Sequence, residues 1–259
     1  MQDLPPLSVD QLRRVDQGAA RDLGLPTLVL MENAAVNAAA VLLDLLAEAV
    51  ELDRDQFRVA IVCGPGNNGG DGFALARHLS SFDVDTIVYT TRPIDTLTGD
   101  AAVMAGVWQR LGGLIEPLAT DADRGLAAEV WPACHVLVDA VMGTGASGRL
   151  REPEASAVRL INTIKPPAVD VPAPATHEGV YLPPTLQPQV LSLDLPSGLD
   201  ADTGEAAEPT VVADVTVTFA ASKQGFAAAQ RAGGLGRVVL AGIGLPDPVV
   251  ARLAGLTST

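Results

Sequence analysis

Cysteine is scarce. Cys63 and Cys134 are the only two in 259 residues. Two thiols cannot build a disulfide framework, so the chain reads as cytoplasmic, and a Cys63–Cys134 pair is the one bridge open to it. Aromatic residues are also few, two Trp, two Tyr and five Phe, so the core must come from Ala, Val, Leu and Ile. Positive charge is short: 17 Lys and Arg stand against 31 Asp and Glu, a net charge of −14. A nucleic-acid partner is therefore excluded, since its footprint is basic, and an anionic membrane surface with it. The three histidines, His78, His135 and His177, stand apart, and no His/Cys cluster has zinc spacing. No long apolar run is uninterrupted. Leu28–Val50 comes nearest, but Glu32, Asn33, Asn37, Asp44 and Glu48 break it, which suits a buried helix better than a membrane span. No basic-then-apolar leader opens the chain, because Asp3 and Asp10 precede any apolar run.

What is present is alternation. Ser8-Val9-Asp10-Gln11 is a capping-box pattern, and Val9, Leu12, Val15, Ala19 and Leu23 follow at helical spacing. Gly24-Leu25-Pro26 ends that helix, and a second, apolar on several sides, covers Thr27–Leu46. The period then shortens. Strands are predicted at 57–63, 85–90, 136–140, 190–194, 213–219 and 236–241, with helices at 73–79, 98–111 and 154–165. Continuously apolar strands between helices mean a parallel sheet covered on both faces. The expected fold is a Rossmann-like α/β class, a three-layer α/β/α sandwich with a mostly parallel central sheet. One domain is expected over 1–259. Pro166–Gln189, with seven prolines and no period, reads as an insertion loop, with a lid or an oligomer arm as its functional alternatives.

The polar and Gly-rich segments all follow strands, where ligands of such sheets bind. Gly64-Pro65-Gly66-Asn67-Asn68-Gly69-Gly70-Asp71-Gly72 satisfies G-x-G-x-x-G between a strand and a helix. An ordinary dinucleotide site also needs a carboxylate at the end of the second strand. Thr90-Thr91-Arg92 stands there instead, which argues against a standard dehydrogenase and leaves an anion cradle of backbone N–H groups. Arg92 stands where a 2′-phosphate contact is conceivable. Asp139 and Asp194 close two further strands, each ahead of a Gly- or Ser-containing loop, Gly143–Arg149 and Pro196–Asp200.

The runs Cys63–Gly72, Val138–Gly145 and Asp194–Gly204, with Leu30–Ala35 and Thr216–Phe219, resemble the NAD(P)H-hydrate epimerase family, also called the YjeF N-terminal domain. The match extends from about Ser8 to Leu245. The resemblance implies an isomerase that interconverts the R and S forms of hydrated NADH and NADPH at ring carbon C6. It implies substrate binding by Asn67, Asn68, Gly69, Gly70 and Asp71, by Gly143, Thr144, Gly145, Ala146, Ser147, Gly148 and Arg149, and by Asp194. It implies one potassium ion per subunit on Asn68, Asp139 and Ser197, a set of oxygen donors suited to a hard cation. A homodimer is the usual assembly. The functional partner is a dehydratase, expected as a separate protein, since no dehydratase half is expected in this chain. Proton transfer at C6 points first to Asp194 and second to Lys223, whose alternatives are a phosphate contact or a surface charge. Ring opening and water loss with re-addition are both open. The alternative to an enzyme is a non-catalytic nucleotide-binding or scaffold protein on the same fold; such relatives typically lose the Asn-Asn-Gly-Gly-Asp loop or the strand-end carboxylates, and here Asp71, Asp139 and Asp194 are kept.

Overall fold

The computed structural model describes residues 4–49, 56–145, 150–164 and 188–256. Ser8 opens helix α1 (Val9–Leu23) with the capping box: its Oγ accepts from the Gln11 N–H at 3.2 Å, and Gln11 Oε1 accepts from the Ser8 N–H at 2.8 Å. Gly24, at φ +66°, ends the helix. Helix α2 (Thr27–Ala49) is long and apolar enough to cross a membrane, but Leu30, Met31, Ala35, Ala38 and Leu42 along it are buried in the core.

The sheet forms next. Strands β1 (Arg58–Cys63), β2 (Asp85–Thr90), β3 (Leu114–Pro117), β4 (Val136–Ala140), β5 (Gln189–Leu193), β6 (Val215–Phe219) and β7 (Arg237–Ala241) pair in the order β3-β2-β1-β4-β5-β6-β7. Every pairing is parallel. The helices between them are α3 (Asn67–Ser80), α4 (Gly99–Arg110), α5 (Asp121–Val130), α6 (Glu154–Ile164), α7 (Phe226–Arg231) and α8 (Asp247–Leu253). Both faces of β1 are buried, in period two. Val59, Ile61 and Cys63 join one core cluster with residues of α2, α3, α4 and α8, and Ala60 and Val62 join another with residues of α5 and α6. That is the expected three-layer sandwich. Cys63 and Cys134 are both buried free thiols, so the bridge between them does not form.

The chain winds outward through β1, β2 and β3, then returns to lay β4 on the other side of β1. The reversal opens a crevice at the carboxyl ends of β1 and β4, where doubly wound sheets bind ligands. Two glycines let the crevice be built. A Cβ on Gly64 would lie 1.9 Å from the Val141 carbonyl oxygen, so only glycine lets the ends of β1 and β4 approach. A Cβ on Gly72 would meet Cys63 Sγ at 2.6 Å and Ala140 Cβ at 2.8 Å, so α3 lies hard on the sheet.

Two expectations change, and a third falls mostly outside the described residues. The Gly-rich segment is not a loop through Gly72 with a helix from Phe73, because α3 already starts at Asn67 and tertiary packing overrides the poor helix propensity of Gly69, Gly70 and Gly72. Strand β3 and helices α5, α7 and α8 are additional to the predicted elements. The proline-rich stretch lies almost wholly outside the described residues, and Gln189 opens β5.

Candidate active site

A cleft of about 1110 Å³ lies over the carboxyl ends of β1, β4, β5 and β6. Pro65, Gly66, Asn67, Asn68 and Asp71 supply one wall, residues 141–145 another, and Asp194, Phe219, Ala220 and Lys223 the floor beyond them. Helices α1 and α2 close it with Leu12, Asp16, Thr27 and Met31.

At the centre is an ion pair. Lys223 Nζ lies 2.6 Å from Asp194 Oδ1, with the lysine 1% exposed and Asp194 8% exposed. Lysine is almost never buried this deeply without a partner. Its other donors go to the carbonyl oxygens of Phe219 at 3.0 Å and Ala221 at 3.3 Å, which saturates the three N–H bonds of an ammonium. Lys223 is thus neither a surface charge nor a free phosphate contact. Asp194 Oδ2 accepts from the Thr144 N–H at 3.0 Å. Burial pulls the Asp194 pKa up, but the Lys223 charge, with hydrogen bonds from Lys223 and Thr144, holds it below the usual carboxylate range.

Two strand ends turn the same way. Asp194 has φ +66° and Ala220 φ +63°. In each case the next N–H bonds the carbonyl two residues back, Leu195 to Leu193 at 2.8 Å and Ala221 to Phe219 at 2.7 Å. Left-handed backbone is costly for residues with a Cβ, and here it aims Asp194 and the Phe219–Ala220 edge into the cleft.

The first turn of α3 carries Asn67, Asn68 and Asp71 to the cleft. Asn68 is 6% exposed, and both its amide atoms lack a hydrogen-bond partner. Its Oδ1 lies beside Gly143, where a Cβ would approach it to 3.3 Å and Asp194 Oδ2 to 2.9 Å. Burial, then the negative charges of Asp194 and Asp16, push Asp71 well above the usual carboxylate range, with Lys223 opposing. Gly69 and Gly70 do not line the cleft. A Cβ on them would strike the Gly64 carbonyl at 1.9 Å and the Met31 methyl at 2.7 Å, so they serve helix packing.

Asp139 and Ser197 lie beneath the Met142–Gly143 turn, both 0% exposed. Asp139 accepts from Ser197 Oγ at 2.6 Å, Ser197 N at 2.8 Å, Ser192 Oγ at 2.8 Å and Val141 N at 3.2 Å. Burial raises its pKa and those bonds oppose the rise. No cationic side chain among the described residues pairs with it. Ser197 Oγ also accepts from the Met142 N–H at 2.8 Å, which ties this pair to the cleft wall. A buried carboxylate without a cation and an orphaned amide oxygen fit a hard monovalent ion by donor chemistry. Gly143, Thr144 and Gly145 line the cleft, whereas Ala146, Ser147, Gly148 and Arg149 lie outside the described residues.

Sequence reasoning missed several wall residues. Asp16 and Asp100 come from helices distant in the chain; Asp100 accepts from Thr27 Oγ1 at 2.5 Å. Glu154 holds Arg92 with two bonds, 2.8 Å to Nε and 3.0 Å to a terminal nitrogen, and accepts from Thr91 Oγ1 at 3.2 Å. The carboxylate missing from the end of β2 is therefore supplied there by α6. His78 and His135 serve local contacts with Glu32 and the Arg58 N–H.

The family model described as YjeF-related protein N-terminus matches residues 27–225. The NAD(P)H-hydrate epimerase of Rhodopirellula baltica is 33% identical over 243 residues, 94% of this chain and 86% of that protein. The bifunctional NAD(P)H-hydrate repair enzyme Nnr of Thermanaerovibrio acidaminovorans is 34% identical over 93% of this chain, which spans only 41% of that longer protein. The crystal structure of the yeast protein ynu0 shares the fold, with a TM-score of 0.75 at 20% identity, covering 96% of this chain and 93% of that one. From the switch-point cleft, the Asn-Asn-Gly-Gly-Asp turn and these likenesses together, the chain belongs to the YjeF N-terminal family.

Proposed function

We propose that this chain is an isomerase that interconverts the R and S forms of hydrated NADH and NADPH at C6. One observation carries the reading: the Asn67–Asp71 turn, the Gly143–Gly145 loop and the Asp194–Lys223 pair converge in one cleft, in a family whose relatives include a protein named NAD(P)H-hydrate epimerase. The cleft volume is of the size that takes a large small molecule. The retained carboxylates Asp71, Asp139 and Asp194 and the buried, unpartnered Asn68 amide favour an enzyme over a scaffold on the same fold.

The substrate's anionic half lies against backbone N–H groups of the α3 N-terminus and of residues 143–145. Asp194 contacts the ring as a fixed anion. An ionised carboxylate there stabilises positive charge that develops on the ring as C6 loses its hydroxyl. Lys223 has no donor left for substrate, so it acts as a positioning residue that keeps Asp194 ionised and in place. Potassium is held by Asn68, Asp139 and Ser197; the orphaned Asn68 amide and a fully buried Asp139 carboxyl with no cationic side chain beside it among the described residues support this. When bound, it neutralises Asp139 and stiffens the wall over it. The active form is a cytoplasmic homodimer, consistent with the buried free thiols and with exposed Val29 and Val36 on α2. A separate dehydratase consumes the S product.

The test is a coupled assay. Purified protein is added to R-NADHX with an S-specific dehydratase, and NADH formation is followed in potassium buffer. Acceleration over spontaneous epimerisation is expected; intact protein giving none overturns the reading.

A further inference from the structure

The Asp194–Lys223 pair leaves the cleft with a fixed anion and a saturated ammonium, neither of which has a proton to lend. Asp16, on α1, lines the same cavity. It follows Leu12 by four residues, so the two share one helix face, and both reach the cleft while Val15 and Ala19 beside them are buried. Among the described residues the Asp16 carboxyl makes no hydrogen bond and no ion pair, and it remains open to the cleft. Its helix is firmly held. The Ser8 cap fixes the first turn, the Val9 N–H donates to Asp202 Oδ1 at 2.8 Å, and Leu7 bonds both neighbours of Lys223, from its N–H to the Ser222 carbonyl at 2.8 Å and from the Gln224 N–H to its own carbonyl at 3.1 Å. A second, separate feature marks the same space as a ligand site: the buried, unpartnered amide of Asn68 beside Gly143 and Asp194.

We propose that Asp16 is the proton-transfer residue of this site, working with the fixed anion of Asp194. The inference rests on the epimerase reading above. In the step, the Asp16 carboxyl gives its proton to the C6 hydroxyl. The C6–O bond breaks with its electron pair on oxygen, and water leaves. The N1 lone pair forms the C6=N1 bond, and the cationic ring faces the Asp194 carboxylate. Water then adds to the other face of C6, the π electrons return to N1, and the surplus proton returns to Asp16. Nothing is consumed.

The electrostatics agree with the geometry. Asp16 keeps an exposed surface, yet desolvation by the surrounding cleft walls raises its pKa to about 6, with the Asp194 charge adding and Lys223 opposing, which suits a group that gives and takes a proton near neutrality. The charged groups around it are Asp194, Lys223 and Asp71. Its own helix carries Arg13 and Arg14. On α2 Glu32 is engaged by Arg77 and His78, and α8 carries Asp247 and Arg252.

The test compares wild type with Asp16→Asn, Asp16→Glu and the solvent-facing control Asp10→Asn in R-to-S conversion between pH 5 and 8. Wild type should lose kcat as pH rises through the Asp16 titration. Asp16→Asn should lower kcat by about 10²- to 10⁴-fold, with KM held, and abolish that limb. Asp16→Glu should keep a displaced limb, and Asp10→Asn should match wild type. An Asp16→Asn enzyme with unchanged kcat and limb, or with a loss confined to KM, overturns the proposal. Should Asp16→Asn not fold, Asp16→Glu decides: a displaced limb supports the proposal, and an unmoved limb with unchanged kcat overturns it. A wild type without acceleration fails the epimerase reading itself, whereas an active wild type with an equally active Asp16→Asn sinks only this inference.

Discussion

The behaviour of single residues follows from how Asp194 is held. Removing Lys223 leaves a buried carboxylate with no cation, so Lys223→Met should cost about 3–5 kcal/mol in urea unfolding, with a fall in kcat from the lost Asp194 charge. Asp194→Asn keeps the shape and removes the anion, so kcat should fall by about 100-fold or more, by analogy with the loss of a single preorganised electrostatic group. Full activity in Asp194→Asn would assign the role elsewhere. The pH sign follows from the depressed Asp194 pKa. The pair's stabilisation is present above the unfolded carboxylate pKa of about 4 and is lost as pH falls through the lower folded value. Wild type should therefore lose stability more steeply below about pH 4 than Lys223→Met does. A further expectation concerns the ion. Potassium chloride should raise the melting temperature relative to a large organic cation at equal ionic strength, and Asn68→Ala should flatten that response, since a ligand bound only by the native state stabilises it. Equal melting curves in both salts for wild type would remove potassium from the site.

Elements place these residues, and they differ in how visibly the sequence announced them. The inner strands were readable because each is a short apolar run between turn signals, and β2 falls on the predicted residues 85–90. Strand β3 was not: Leu114–Pro117 is a four-residue edge strand, mostly exposed, with no pattern to see. Helix α3 was misread at its start because three glycines within one turn argue against a helix. Close packing is what demands them. Gly64→Ala should accordingly cost about 3 kcal/mol or more, because its Cβ has no room against the Val141 carbonyl, and little relaxation is open between paired strands. Leu7 offers a second test at this scale. It is fully buried, and its backbone flanks Lys223. Leu7→Ala should lose about 2–5 kcal/mol and reduce kcat more than it changes KM, as the lysine loop loosens. Unaltered kcat in a destabilised Leu7→Ala protein would show that this segment only stabilises the fold.

At the scale of the whole molecule, the site is assembled from segments that sequence reading sees one at a time. Asp139, Asp194 and the Asn67–Asp71 turn were legible because each ends or follows a strand of a parallel sheet. Asp16 was not, since an acid beside buried Val15 on an amphipathic helix looks like any solvated charge. The Lys223 role was half legible: its place after β6 is in the sequence, but its saturated donors exist only in three dimensions. Net charge has a consequence at this scale too. A protein of charge −14 repels an anionic dinucleotide at long range. Raising ionic strength from about 0.01 M to about 0.15 M shortens the screening length from about 30 Å to about 8 Å, so KM should fall. A KM that climbs with salt would mean that local cations, not backbone N–H groups, dominate binding. The most direct measurement starts from each pure epimer of NADHX, with this protein alone, and separates R from S chromatographically over time. Both reactions should speed up and converge on one equilibrium ratio, with no other product formed. A rate equal to the buffer control from either side, or loss of substrate to a different compound, would contradict the epimerase assignment.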